Sequence, residues 1–167
     1  MANIRGTVSP AVSFTSQPSS GSASLVTEVI LPGTPLSYSF TYGTGAGQVD
    51  TVWSAGTPGT AFTVSGTTTK NLTSLTSTTG AAISFARIKT VYILNNDLTN
   101  VLTVGGGSNA WTGLFSGTIT INPGEFFLAC VSPLDATGWV TGGSSYNLQF
   151  STSSSTGVTV VLAGVSV

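Results

Sequence analysis

Residues 36–42, LSYSFTY, alternate apolar and polar side chains without a break, whereas no stretch of the chain repeats apolar residues convincingly at helical spacing. These two facts together constrain the fold most. Good helix formers are scarce: Glu, Lys, Arg, Gln and Met are nearly absent, while Val, Thr, Ser and Gly dominate. Short β-prone runs separated by Gly, Pro, Asn and Ser clusters predict an all-β chain. The expected architecture is a two-sheet sandwich, jelly-roll-like, with an extended N-terminal arm. Strands are expected at 23–31, 36–42, 49–54, 61–65, 83–94, 99–104, 117–121, 125–131, 145–152 and 157–166, with a weaker one opening 67–80. Leu36, Tyr38, Phe40 and Tyr42 are expected on one buried face. The 167 residues suit an arm over 1–22 and one domain over 23–167.

Turn signals punctuate these runs. In INPGEFF, Pro123 presets φ and Gly124 can take the positive φ that position i+2 of a type II turn requires. Residues 117–131 are therefore expected to form a hairpin. NND at 95–97, GGGSN at 105–109, TPG at 57–59 and DATG at 135–138 mark other turns.

Charged residues make up 5% of the chain and the net charge is −1. The surface must then be solvated by hydroxyls, amides and backbone, and it repels its neighbours weakly, which favours association. Arg5, Lys70, Arg87 and Lys89 are too few for a basic stripe, so nucleic acid is not an expected partner. No run is apolar and long enough to span a membrane as a helix, and MANIRGTVSPAVSF lacks the apolar core of a signal peptide, so no secretory signal is expected.

No histidine is present. Ser-His-Asp and Cys-His catalysis and His-bound zinc are thereby excluded in their usual forms. The acids Glu28, Asp50, Asp97, Glu125 and Asp135 are scattered in sequence; two could meet in the fold, but nothing local suggests the facing pair that glycoside hydrolysis needs. Asp50, Asp97 and Asp135 sit in or beside turn clusters, where Asp caps its own backbone. Cys130, inside FFLACVS, reads as a structural thiol. VGGGSN and GTGAG lack the context of a phosphate cradle. No enzyme activity, catalytic residue, metal or cofactor is expected.

Two features remain as candidate partner contacts. Trp53, Trp111 and Trp139 lie near loops, where exposed rings could stack on a sugar; otherwise they plug the sandwich or lie in subunit interfaces. ISFARIKTVYILNND, 83–97, carries Arg87 and Lys89 inside an apolar run. Simple alternation places Ile83, Phe85, Arg87, Lys89, Val91 and Ile93 on one face, and neither face is cleanly polar. A β-bulge near 86–89 could swing the charges to solvent, the strand could be an edge guarded by charge, or the pair could face an acidic patch on a partner.

The ordered series FTYGTGAGQVDTVWS (40–54), ISFARIKTVYILN (83–95), NVLTVGGGSNAW (100–111), ITINPGEFFLACVSPLDATGWVTGG (119–143) and VVLAG (160–164) resembles small structural proteins of tailed bacteriophages. The resemblance covers about residues 36–165. It implies a capsid cement or decoration protein on the outside of the head, with the major capsid protein as partner and a homotrimer as the preferred assembly. A tail, fibre or baseplate component binding a host glycan is the alternative. No catalytic residues come with the resemblance.

Overall fold

A computed structural model describes residues 6–8, 14–16, 26–28, 38–56, 62–77, 79–132 and 134–166. Eight strands build two sheets: β1 (Thr51–Ala55), β2 (Thr67–Asn71), β3 (Phe85–Asn95), β4 (Leu102–Gly105), β5 (Thr118–Ile121), β6 (Phe126–Cys130), β7 (Asn147–Ser151) and β8 (Thr156–Ser166). The first sheet runs β6-β3-β8-β1, with Trp139–Val140 beside β3 and Thr63–Val64 beside β8. The second runs β5-β4-β7-β2. The chain is thus an all-β two-sheet sandwich, as the sequence predicts.

The pairings are nested. β1 lies against β8, β2 against β7, β3 against β6 and β4 against β5, all antiparallel. The chain follows the path of one long hairpin folded over itself, and the extra pairs β3–β8 and β4–β7 close the two sheets. Between the sheets lie Trp53, Phe62, Phe85, Ile88, Val91, Ile93, Leu102, Val104, Trp111, Leu148, Phe150, Val160 and Leu162. Alternation puts most of these residues inside; Phe62 and Trp111 reach the core from outside the eight strands, and β3 departs from simple alternation. Lys70 is an addition to this pattern: it opposes the buried Leu148, and its ammonium lies 4.8 Å from the centroid of the Phe62 ring.

The hairpin expected over 117–131 does not form. Its turn does: Glu125 N–H donates to Asn122 O at 3.0 Å and Gly124 has φ 74°. The strands on either side, however, pair with β4 and β3, which lie in different sheets. The NPG corner therefore carries the chain across the sandwich. Gly124 N–H donates to Asn95 O, and Asn95 N–H to Glu125 O, which ties the corner to the end of β3.

Of the expected arm, the described residues form two short strands. Gly6–Val8 pairs with Tyr38–Phe40 and Phe14–Ser16 pairs with Val26–Glu28, so both are joined to later chain. Phe40 is buried, but Tyr42, expected on the same covered face, is half exposed. The expected turn at 57–59 lies outside the described residues.

Candidate docking surface around the bulged strand

β3 is the centre of the candidate site. It is flanked by β6 and Trp139–Val140 on one side and by β8 on the other, so the edge-strand reading of Arg87 and Lys89 is wrong. The bulge reading holds in part. Register against β8 shifts twice, between Phe85 and Arg87 and between Ile88 and Thr90. Each shift inserts an unpaired residue, so Phe85, Ile88, Val91 and Ile93 all reach the core while the basic residues leave the inner face. The simple alternation of the sequence reading fails here for that reason.

The two cations part company. Arg87 is half-buried, and its Nη1 donates to Ala136 O at 3.1 Å. Lys89 does not reach solvent: it is 0% exposed, and its Nζ donates to Gly45 O at 2.6 Å. The loop over 43–47 thus covers a charge that no carboxylate among the described residues touches. Burial, reinforced by the neighbouring Arg87 and opposed by Asp135, pulls the Lys89 pKa below its ordinary value.

The segment after β6 packs over the bulges. Val131 N–H donates to Lys89 O, Thr141 N–H to Ala86 O, and the Thr141 hydroxyl to Phe85 O. Asp135 accepts from Thr137 N–H at 2.7 Å and Gly138 N–H at 3.1 Å, and these bonds hold its carboxyl below the usual range. Asp97 caps Thr99 and Asn100 similarly. Asp50 differs from the expected local cap. Burial raises its pKa, but the bonds that it accepts from the Ser166 hydroxyl and N–H and from Thr51 outweigh this and leave it lowered. It therefore pins the start of β1 to the end of β8.

Two of the three tryptophans are withdrawn from the surface. Trp53 and Trp111 are buried; their indole N–H groups donate to Thr76 O at 3.0 Å and to Val140 O at 2.9 Å. Trp139 is half-buried opposite Ile88. The pairing of Trp139–Val140 with β3 gathers Arg87, Lys89, Trp139 and Trp111 at one end of the sandwich, while Trp53 lies on β1. Burial raises the pKa of the Cys130 thiol despite its contact with the Thr90 hydroxyl, so it is protonated at neutral pH.

The outward faces of the sheets were not singled out by the sequence reading. On the first sheet the register aligns Leu128, Tyr92, Val161 and Ser54 in one row, Cys130, Thr90, Ala163 and Val52 in the next, and Phe126, Leu94 and Thr159 in a third. These rows hold no charge, and Phe126 and Val52 are exposed. On the second sheet the outward rows hold Thr120, Thr103, Ser151 and Thr67, then Thr118, Gln149 and Thr69. The second sheet faces outward with hydroxyls and an amide; the first carries mostly apolar side chains, with Ser54, Thr90 and Thr159 interspersed. The available signal was that segments 83–94 and 125–131 are apolar on both faces.

Comparisons with protein-family models, curated proteins and solved structures found no match to this chain.

Replacing Lys89 separates its charge from its packing. Lys89→Met is expected to be as stable as the parent at neutral pH or more so, because it removes a buried unpaired ammonium but keeps the stem. Lys89→Glu should be clearly less stable, since it sets a carboxylate against the Gly45 carbonyl. The pH dependence follows from the lowered pKa. Between the folded value and 10.5 the unfolded chain keeps a proton that the folded chain has lost, so the parent gains stability as pH rises through that window. Lys89→Met should lack this gain. Urea melts from pH 7 to 10.5 on both variants measure it; parallel curves for parent and Lys89→Met would refute the assignment.

Proposed function

We propose that this protein is a structural component of a bacteriophage virion, a cement or decoration protein that binds the outside of the major capsid shell and reinforces the head. The observation that carries the reading is the set of charge-free, mostly apolar rows on the outward side of the first sheet, where Phe126 and Val52 are exposed, across the sandwich from the hydroxyl-covered face of the second. An exposed apolar sheet face on a weakly charged body suits permanent assembly better than solitary existence.

Two further features support it. The nested pairing supports a jelly-roll reading, an architecture found in virion proteins and also in lectins and cupins; this support is by analogy of fold alone. The resemblance over residues 36–165 points the same way. A shell offers many copies of one site, at threefold or twofold positions, so modest contacts add up by avidity. A homotrimer at a threefold position is the assembly that we favour. No exposed tryptophan supports the glycan-binding alternative.

Arg87 is the basic residue of the bulged strand that stays partly exposed, paired with the exposed Val140. Arg87→Glu is expected to leave the fold intact and to lower the copy number on purified particles several-fold, with reduced particle survival on heating. Counting copies per particle and plating after heat challenge measure this. Unchanged survival of particles lacking the protein altogether would sink the cement reading, and labelling at the tail would favour the alternative location.

A further inference from the structure

We propose that β6 is a self-pairing edge, at which the Phe126–Cys130 strand of one copy hydrogen-bonds antiparallel to the same strand of a second copy. The proposal is independent of where the protein resides. β6 ends its sheet, and none of its five residues is fully buried. On its inner side Val131 N–H donates to Lys89 O and Asn95 N–H to Glu125 O. Antiparallel alternation then turns the N–H and C=O groups of Phe127 and Ala129 toward β3 and those of Phe126, Leu128 and Cys130 away from it. Among the described residues these outward groups have no hydrogen-bond partner.

Edges of this kind are normally blunted by Lys, Pro, a bulge or a covering segment. β6 has none of these within FFLAC, and its register with β3 is regular. The other edges differ. β2 carries Lys70. β1 sends its indole to Thr76, under the short Leu75–Thr76 and Ala82–Ile83 pair. β5 exposes hydroxyls.

The occupant follows from self-complementarity. With Leu128 opposite Leu128 of the second copy, Phe126 faces Cys130 and Glu125 faces Val131, so apolar residues meet and no like charges do. Three residues on each strand exchange both bonds with their opposites. Phe126, 61% exposed, becomes covered, and the apolar rows through Leu128 and Tyr92 run on into the second copy. A five-residue edge is roughly 17 Å long. An edge of that length is a narrow contact beside the ~800 Å² per partner of a standard stable interface, so the pairing is concentration-dependent. Among the described residues each copy has one such edge, so the pairing closes on two and leaves a threefold contact to other surfaces.

The test is sedimentation of the full chain over a concentration series, beside Leu128→Lys. The parent should rise toward twice the mass of the variant; equal masses throughout would overturn the proposal. Register is read by cross-linking in a Cys130→Ser background. Opposed residues in a hydrogen-bonded pair have Cα atoms about 5.5 Å apart, within disulfide reach. Leu128→Cys should therefore give a covalent dimer on mild oxidation. Phe126→Cys, displaced from its own copy by about 14 Å, should not. Equal cross-linking of the two, or none with Leu128→Cys, would also overturn it.

Discussion

Trp111→Ala is expected to lower the unfolding free energy by about 3–5 kcal/mol, the range for deleting a fully buried large aromatic. Trp111 is 1% exposed and stands edge-on to Phe115, with centroids 6.0 Å apart and planes at 85°. Phe115 in turn lies 5.3 Å from Phe127 of β6. The indole also donates to Val140 O, so it joins the end of the second sheet to the Trp139–Val140 strand that borders the bulges of β3. Truncation leaves a cavity and an acceptor without its donor. Gly113 shows how closely the ring is held: a Cβ there would come within 2.6 Å of Trp111 Nε1. Denaturant melts should show the loss, and the thermal midpoint should fall on the order of 10 °C. Trp111→Phe should recover part of the stability, because it restores most of the volume without the donor. A loss below about 1 kcal/mol, typical of an ordinary substitution, would refute the role.

The second large effect is expected at Gly164. It sits in β8, paired with Ile88 on one side and Thr51 on the other, where the bulges bring β3 close. A Cβ at this position would collide with the Arg87 carbonyl oxygen and lie 2.9 Å from Ile88 Cα. Both obstacles are backbone, which cannot swing aside as a side chain does. Gly164→Ala should therefore cost about 3 kcal/mol or more, at the upper end of overpacking effects, although alanine suits an isolated strand better than glycine. Equilibrium unfolding checks the magnitude. A neutral result would mean that the strands separate without penalty, and the bulged approach of β3 to β8 would then be wrong.

Much of the strand list was legible in the sequence. β3, β4, β5, β6, β7 and β8 each fall within two or three residues of the expected runs, because period-two alternation and Gly, Pro and Asn punctuation are local properties of the chain. The type II turn at Asn122–Glu125 was legible for the same reason: Pro123 and Gly124 encode its dihedrals. Whether that turn closes a hairpin or crosses between sheets was not legible. It depends on β4 and β3 as partners, and those contacts reach far along the chain.

The candidate site was only partly legible. A bulge near 86–89 could be inferred from two cations breaking an apolar row. Their different fates could not, since Lys89 is covered by a loop more than forty residues earlier and Arg87 is held by Ala136. The tryptophans were visible as large amphipathic side chains near loops, but their burial is set by Thr76 and Val140, which are distant in sequence.

The sequence by itself determined the all-β class, the order of the strands, the type II corner, and a chemistry without histidine or clustered acids, because each follows from residue type and spacing. Only the tertiary structure decided the nested pairing, the double bulge that buries Lys89 while leaving Arg87 half out, and the contrast between an apolar and a hydroxyl-covered sheet face. These arise from registers between strands far apart in sequence, and a one-residue shift in register exchanges which side chains meet the core.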